Sequence, residues 1–477
     1  DRNGELLATT LPFYDLCANP KLIKNENKKI LAKSIAMVLY NESEEKIYKK
    51  LNNINRSFVY LKRLISPKEW NAIVRLEEPG IFRLKRYSRH YPHQKLASHI
   101  IGGVNIDNQG IIGIEKNFDK ILKDKNFINN NGQIQLSIDI RIQKILDDHL
   151  SRTIKKHDAS GGAGIILNIK QSEILAMISL PQFNPNEIHK ISKENGFNKP
   201  TLGVYELGSL FKPLTAAIAL DKDILTEDTV FDARKPLIEG KFTIHDYKPK
   251  KRKLKFSECI LYSSNICLAQ VGNKIGEKNM KEYYEKMKLT SKPEIELPEI
   301  AEPILPNIWR KINLMTMSYG HGIAISPLQY VNAINSVING GKFRYSTLIK
   351  NKNDNENLSL RVISEDTSKR VRKLLREVVR NKEGSGDNAE IEGYSIAGKT
   401  GTAIKNKKNR YIKDETITSF VGFFPSYDPK FLVFIMVDNP KPIKETFYYA
   451  TGGTVAAPTV KKIINEIIPK LRVEPEA

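Results

Sequence analysis

Apolar positions recur every three or four residues from Ile140 to Lys156, the spacing that lines one face of a helix, and Lys28 to Val59 and Pro67 to Glu77 read the same way. Gly164 to Ile169 and Ile174 to Ser179 are apolar runs of strand length around the polar Lys170 to Glu173 turn, so the pattern predicts a hairpin. Tyr394 to Ala397, Thr402 to Ile404, Ser419 to Phe424 and Phe431 to Val437 read as strand pieces, and Val455 to Ile468 as a closing helix. Nearer the start, Asp1 to Ala8 reads as an extended lead-in and Phe82 to Val104 as short strands with turns. Helices that bracket hairpin-linked strands predict an α+β fold, a mostly antiparallel sheet covered by helices. The polar stretch 119–133 closes on Asn129-Asn130-Asn131-Gly132 and is the best linker, dividing the chain into 1–132 and 133–477. Asn351 to Asn357 reads as a polar surface loop.

Composition narrows the class. At 477 residues, 40% hydrophobic, the chain can bury two or three cores, which excludes disorder, collagen and coiled coil. No apolar run reaches the roughly 18 residues that span a bilayer. The net charge of +22 would suit an anionic partner: nucleic acid, a phospholipid surface or an acidic wall polymer. The lysines, however, are interleaved with Asn and Ile, and the one dense run, Lys248 to Lys255, is broken by Pro249 and Leu254. With no aromatic-rich RNA signature and no zinc-finger spacing, no nucleic-acid partner is expected. Nor do the eight histidines show zinc spacing, so neither metal nor cofactor is expected. Cys259 and Cys267 lie on what reads as one helix, where about 12 Å of rise would keep them from bridging. Cysteine usage leaves the compartment open.

Candidate chemistry centres on Gly208-Ser209-Leu210-Phe211-Lys212-Pro213. From Leu210 to Leu220 the only charged side chain is Lys212, so the helix reads as buried and the lysine as desolvated, which favours a neutral amine able to take a proton. Ser209 stands one turn earlier, a hydroxyl that needs such a base to become a nucleophile. The bland alternative is an N-cap serine and a lysine that snorkels out. Ser43-Glu44-Glu45-Lys46 has the same spacing on a charged helix with no catalytic promise. Two further motifs follow in order: Ser263-Ser264-Asn265, at a helix start or inter-helix turn, and Lys399-Thr400-Gly401-Thr402. Singly they read as a cap and a hairpin rim. Together S-x-x-K, S-x-N and K-T-G form the set of penicillin-binding proteins and class A β-lactamases.

One motif competes. Gly393 to Thr400 satisfies G-x-x-x-x-G-K-[ST], the phosphate loop of nucleotide hydrolases, but that loop must open a helix. Here Gly401-Thr402-Ala403 and the polar Lys405 to Arg410 follow, which suits a strand. An ordinary serine hydrolase would need a G-x-S-x-G elbow, and Gly393-Tyr394-Ser395 lacks its second glycine.

The sequence resembles a class B penicillin-binding protein, a peptidoglycan D,D-transpeptidase, over nearly its whole length. Tyr205 to Pro213 resembles the family's active-serine segment, with Leu207 where proline is usual. Tyr319-Gly320-His321-Gly322 through Ser326-Pro327-Leu328-Gln329, Ala397 to Ala403, Phe420 to Pro425 and Gly452 to Pro458 are similar to family landmarks in the same order. Gln171-Ser172-Glu173 departs from the common Thr-Gly-Glu. Arg89 to Pro92, His99 to Gly102 and Gly110 through Lys116 look more like the septal, cell-division subtype than the elongation subtype.

The resemblance implies a transpeptidase domain over 133–477 and a non-catalytic pedestal of the dimerisation type over 1–132. It implies that Ser209, deprotonated by Lys212, attacks the bond between the terminal D-alanines of a stem peptide, and that an amine of a neighbouring stem resolves the acyl-enzyme into a cross-link. Ser263 would relay the proton, Asn265 hold the peptide amide, Lys399 supply positive field, and Thr400 and Thr402 bind the terminal carboxylate. The N–H groups of Ser209 and Thr402 would form the oxyanion hole, worth about 3 kcal/mol per donor, with Gly401 letting backbone approach the ligand. β-Lactams would acylate Ser209. The implied partners are stem peptides, β-lactam antibiotics, a SEDS-family glycan polymerase and division proteins. The implied place is the periplasmic side of the inner membrane, behind an N-terminal anchor outside this chain. A β-lactam-sensing receptor and a wall-binding scaffold are the other readings of such a fold.

Overall fold

The computed structural model describes residues 1–39, 42–130, 132–351, 359–407 and 410–475. Two compact units divide the chain: one is Leu6–Pro92 with Ile106–Asn108, the other Asp1–Glu5, His93–Asn105 and Gln109–Ala477. Residues 93–105 fall in the larger unit because His99 is buried there, its Nε2 2.8 Å from the Asn195 carbonyl. The stretch 119–133 carries two short helices, Asp119–Leu122 and Lys125–Asn129, with Asn131 outside the described residues. The predicted loop over Asn351 to Asn357 also lies outside them, apart from Asn351 itself.

The smaller unit is a three-stranded antiparallel sheet, β1 (Thr9–Ala18), β2 (Val59–Ile65) and β3 (Ile81–His90), in the order β2-β1-β3. Its core joins Leu16, Val59, Leu61 and Ile65 to Leu31, Ile35, Ile47 and Leu51 from α1 (Lys28–Val38) and α2 (Glu44–Leu51). Helix α3 (Pro67–Ile73) begins in a capping box between Ser66 and Glu69. The run Lys28 to Val59 is thus two helices and the start of a strand, and β3 is one long strand where short ones were expected.

The larger unit is built on five antiparallel strands. Hairpin β4 (Gly161–Asn168) and β5 (Glu173–Leu180) forms as the pattern predicts, turning at Ser172, whose φ of 53° a glycine would adopt more cheaply. With β6 (Ala397–Lys407), β7 (Arg410–Phe424) and β8 (Phe431–Asp438) the order is β6-β7-β8-β4-β5. Alternation along β8 decides what each face buries: Val433, Ile435 and Val437 join a core with Ile142, Leu146 and Leu150 of α4 (Ile140–Lys156). Phe434 turns to the other face, its ring 5.9 Å from that of Tyr330. Helix α5 (Lys212–Asp221) is buried from Lys212 to Leu220. Downstream come α6 (Phe256–Leu261), α7 (Asn265–Lys286), α8 (Pro327–Ile338), α9 (Glu365–Arg380) and α10 (Ala457–Leu471). Among the described residues no helix is long and apolar enough to cross a membrane.

One expectation is overturned. Cys259 and Cys267 are paired in a disulfide, their Cα atoms 5.9 Å apart. No single helix carries them: Ser263 takes a left-handed φ of 57°, which ends α6, and Ser264 caps α7, its Oγ accepting from the Cys267 N–H at 3.1 Å. The chain reverses between the two cysteines, so helical rise does not separate them.

Candidate active site

The three motifs arrive from different elements. Ser209 lies in a single 3-10 turn, Gly208–Phe211, that leads directly into α5, so Lys212 is the first residue of a buried helix. Ser263 and Asn265 lie at the α6–α7 reversal. Lys399 to Thr402 run along β6, an edge strand of the sheet, rather than opening a helix. That placement removes the phosphate-loop reading, because Gly398-Lys399-Thr400 continues as strand through Lys407 and does not open a helix.

Side chains from these elements converge on the Ser263 hydroxyl. Lys212 Nζ and Lys399 Nζ each donate to Ser263 Oγ at 3.0 Å. Lys212 also donates to the Ser263 carbonyl at 2.5 Å and to Asn265 Oδ1 at 2.8 Å. Lys399 reaches the Thr400 carbonyl at 3.2 Å. A hydroxyl has two lone pairs and one proton. With both lone pairs taken by the lysines, the Ser263 proton is directed away from both. Two ammonium groups sharing one oxygen with no exposed surface cannot both stay charged cheaply. Burial pushes Lys399 down to about 7, and burial followed by the charge of Lys399 holds Lys212 well below the usual lysine value, with the Asp246 carboxylate acting the other way.

Ser209 is half-buried, and among the described residues none hydrogen-bonds its hydroxyl, Lys212 included. While Lys212 is an ammonium it has no lone pair to offer Ser209, and its three contacts, to the Ser263 carbonyl and hydroxyl and to Asn265 Oδ1, account for all three of its N–H groups. A neutral amine has two N–H groups, so loss of the proton frees one direction of Nζ. The structure therefore brings Lys212, Ser263, Asn265, Lys399 and Thr400 into one bonded set and leaves Ser209 beside it.

Glycines seat the serine turn. A Cβ on Gly401 would meet Ser419 Oγ of β7 and fall 2.8 Å from both the Leu207 carbonyl and Leu210 Cγ, so β7 and the turn bearing Ser209 both pack on bare strand backbone. Ligand approach is what the sequence reading asks of that glycine, and packing within the protein asks for it as well. Gly208 has a φ of 55°, and its N–H donates to the Gly320 carbonyl at 3.2 Å, which ties Tyr319-Gly320-His321-Gly322 to the site. Burial keeps His321 below its usual value, with the charge of Lys212 adding to the effect and Glu206 opposing it. Thr402 is exposed, and its Oγ1 accepts from the Gly452 N–H at 2.9 Å.

Ser385 escaped the sequence reading. It stands in Gly384-Ser385-Gly386 after α9, where its Oγ takes a hydrogen bond from Thr400 Oγ1 at 2.8 Å and lies 3.5 Å from Lys399 Nζ. A serine between glycines was the one available signal, and by itself it reads as a turn.

Two buried lysines meet on one serine hydroxyl at the edge of a five-stranded antiparallel sheet, with a second, half-buried serine beside them, an arrangement suited to serine-type acyl transfer. A family model described as the penicillin binding protein transpeptidase domain matches residues 162–465, and the penicillin-binding protein dimerisation domain matches 1–132. The chain is 34% identical, over 99% of its length and 81% of the other's, to the probable peptidoglycan D,D-transpeptidase FtsI of Caulobacter vibrioides. It is 32% identical to stage V sporulation protein D of Bacillus subtilis, over its full length and 78% of that protein. Among solved structures, the apo transpeptidase domain of Burkholderia pseudomallei penicillin-binding protein 3 superposes with a TM-score of 0.64 at 29% identity, covering 72% of this chain and 98% of that one. The chain belongs to the class B penicillin-binding proteins and is a peptidoglycan D,D-transpeptidase.

Proposed function

We propose that this enzyme cross-links stem peptides through an acyl-enzyme on Ser209. Lys212, once neutral, takes the Ser209 proton as Oγ bonds to the carbonyl carbon of the penultimate D-alanine. The N–H groups of Ser209 and Thr402 hold the oxyanion, while Lys399, Thr400 and Thr402 receive the terminal carboxylate. Collapse breaks the C–N bond; the Ser263 proton passes to the departing D-alanine amine and is replaced from Lys212. An amine of a second stem then attacks the ester, its proton returns to Ser209, and the cross-link leaves. The observation that carries this reading is the Ser263 hydroxyl bonded by both lysines, which turns its one proton away from them and leaves it free to be given up. β-Lactams would form the same ester, and with no carboxylate assigned to activate water the adduct should persist. Labelled penicillin is the test: mass mapping should place the adduct on Ser209 and find none in Ser209→Ala. Saturable ATP binding with no adduct would overturn the reading.

We further propose that the enzyme works in septal wall synthesis, anchored in the inner membrane with its catalytic domain in the periplasm. Residues 1–132 would be the pedestal that docks a SEDS-family glycan polymerase and division proteins. Supporting this are the division-type segments Arg89 to Pro92 and His99 to Gly102, and relatives named FtsI. Depletion should give filamentous cells; spheres would indicate an elongation role instead.

A further inference from the structure

The catalytic turn is held by a carboxylate that no motif contains. Asp246 lies after the short strand Phe242–Ile244, about twenty residues upstream of the S-x-N segment. Its Oδ1 accepts from the Asn265 N–H at 2.6 Å and from the Ile266 N–H at 2.9 Å, and its Oδ2 accepts from Ser264 Oγ at 2.8 Å. The preceding residue adds a fourth tie, Asn265 Nδ2 to the His245 carbonyl at 3.0 Å. An anion at those N–H groups meets the first turn of α7, where the helix dipole favours negative charge, although α7 breaks further on at Gly276, whose φ is 74°. Ser263, next to these contacts, takes a left-handed φ of 57°, a conformation that holds only where neighbouring contacts offset its strain.

We infer that Asp246 is a positioning residue for the transpeptidase: its carboxylate fixes Ser263 and Asn265 in the orientation that receives the Lys212 amine. The inference rests on the acyl-transfer reading of Ser209. Charge gives a signature that mere scaffolding lacks. The ionisable groups whose charge is felt at Lys212 are Lys399 from β6, Asp246 from this loop, and His321 from the segment before α8, which itself senses Lys212. Lys399 favours loss of the Lys212 proton, and Asp246 favours its retention. Removing the carboxylate should therefore let Lys212 become neutral at lower pH.

The test is the second-order rate of acylation by a fluorescent penicillin as a function of pH, normalised to the burst of labelled protein so that misfolded molecules do not count. Asp246→Asn should slow acylation roughly tenfold to a hundredfold, as misplacement of catalytic groups does, and move the acid limb of the profile to lower pH. Asp246→Glu should restore the limb toward its original position while recovering only part of the rate. If Asp246→Asn acylates at the wild-type rate, or slows with the acid limb unmoved, the positioning role is overturned. Failure of the parent reading looks different, because the wild-type enzyme would then give no Ser209 adduct at any pH.

Discussion

Ser43 and Lys46 stand at the same spacing as Ser209 and Lys212, and the two pairs do opposite things. On α2, Ser43 Oγ accepts from the Lys46 N–H at 3.2 Å as an ordinary N-cap, and both side chains are exposed. At α5 the lysine has no exposed surface and spends its donors on a second motif 51 to 53 residues away. The four-residue pattern is common to both; the apolar run that follows only the second is what desolvates the amine. Chemistry here is specified by the helix after the motif.

The sharpest way to break that contrast is to delete each serine. Ser209→Ala should abolish penicillin labelling, lowering acylation by roughly 10⁴-fold or more, as loss of a nucleophile in a catalytic set does. Ser43→Ala should leave the rate unchanged and cost about 1 kcal/mol, seen as an earlier melt. Labelling that survives in Ser209→Ala would void the comparison. Next comes the partner lysine. Lys399→Ala should slow acylation by about 10²- to 10³-fold through loss of positive field. Because a neighbouring cation depresses Lys212, its removal raises that group, and the acid limb should move to higher pH, opposite to Asp246→Asn.

Smaller effects test the supports. Gly401→Ala should push the serine turn off β6, costing about 1 to 3 kcal/mol by overpacking and slowing acylation more than an equally destabilising substitution in the smaller unit. Cys259→Ala with Cys267→Ala should cost about 2 to 3 kcal/mol, the loop-closure value for so short a bridge, with the acylation rate close to wild type. Thiol titration of the denatured wild-type protein should find one free thiol, Cys17; three would refute the pairing.

Local pattern made much of this legible. Helix α4 runs over Ile140–Lys156 as its periodicity predicts, and the β4–β5 hairpin and β8 follow from short apolar runs with polar turns. What escaped depends on partners far along the chain. Strand β1 was not expected: its half from Thr9 to Tyr14 is largely exposed and carries no clean alternation, so its pairing with β3 supplies the order. Strand β6 read as two pieces because Gly401 interrupts the apolar pattern, although its bare backbone is what lets β7 and the serine turn pack there. Ser263 to Asn265 could be placed at a turn, yet the reversal was not carried through to Cys259 and Cys267. Asp246 and Ser385 act through bonds spanning 18 to 20 and 14 to 15 residues, beyond any helical or strand period.

Because β6 closes the sheet on one side only, its outer row of peptide groups faces away from β7. A peptide laid along that margin would be gripped by amide dipoles that every amino acid presents alike. Tolerance for varied stem sequences would then be inherited from the main chain, while the demand for a free D-alanine end would fall to the few side chains at Lys399 to Thr402.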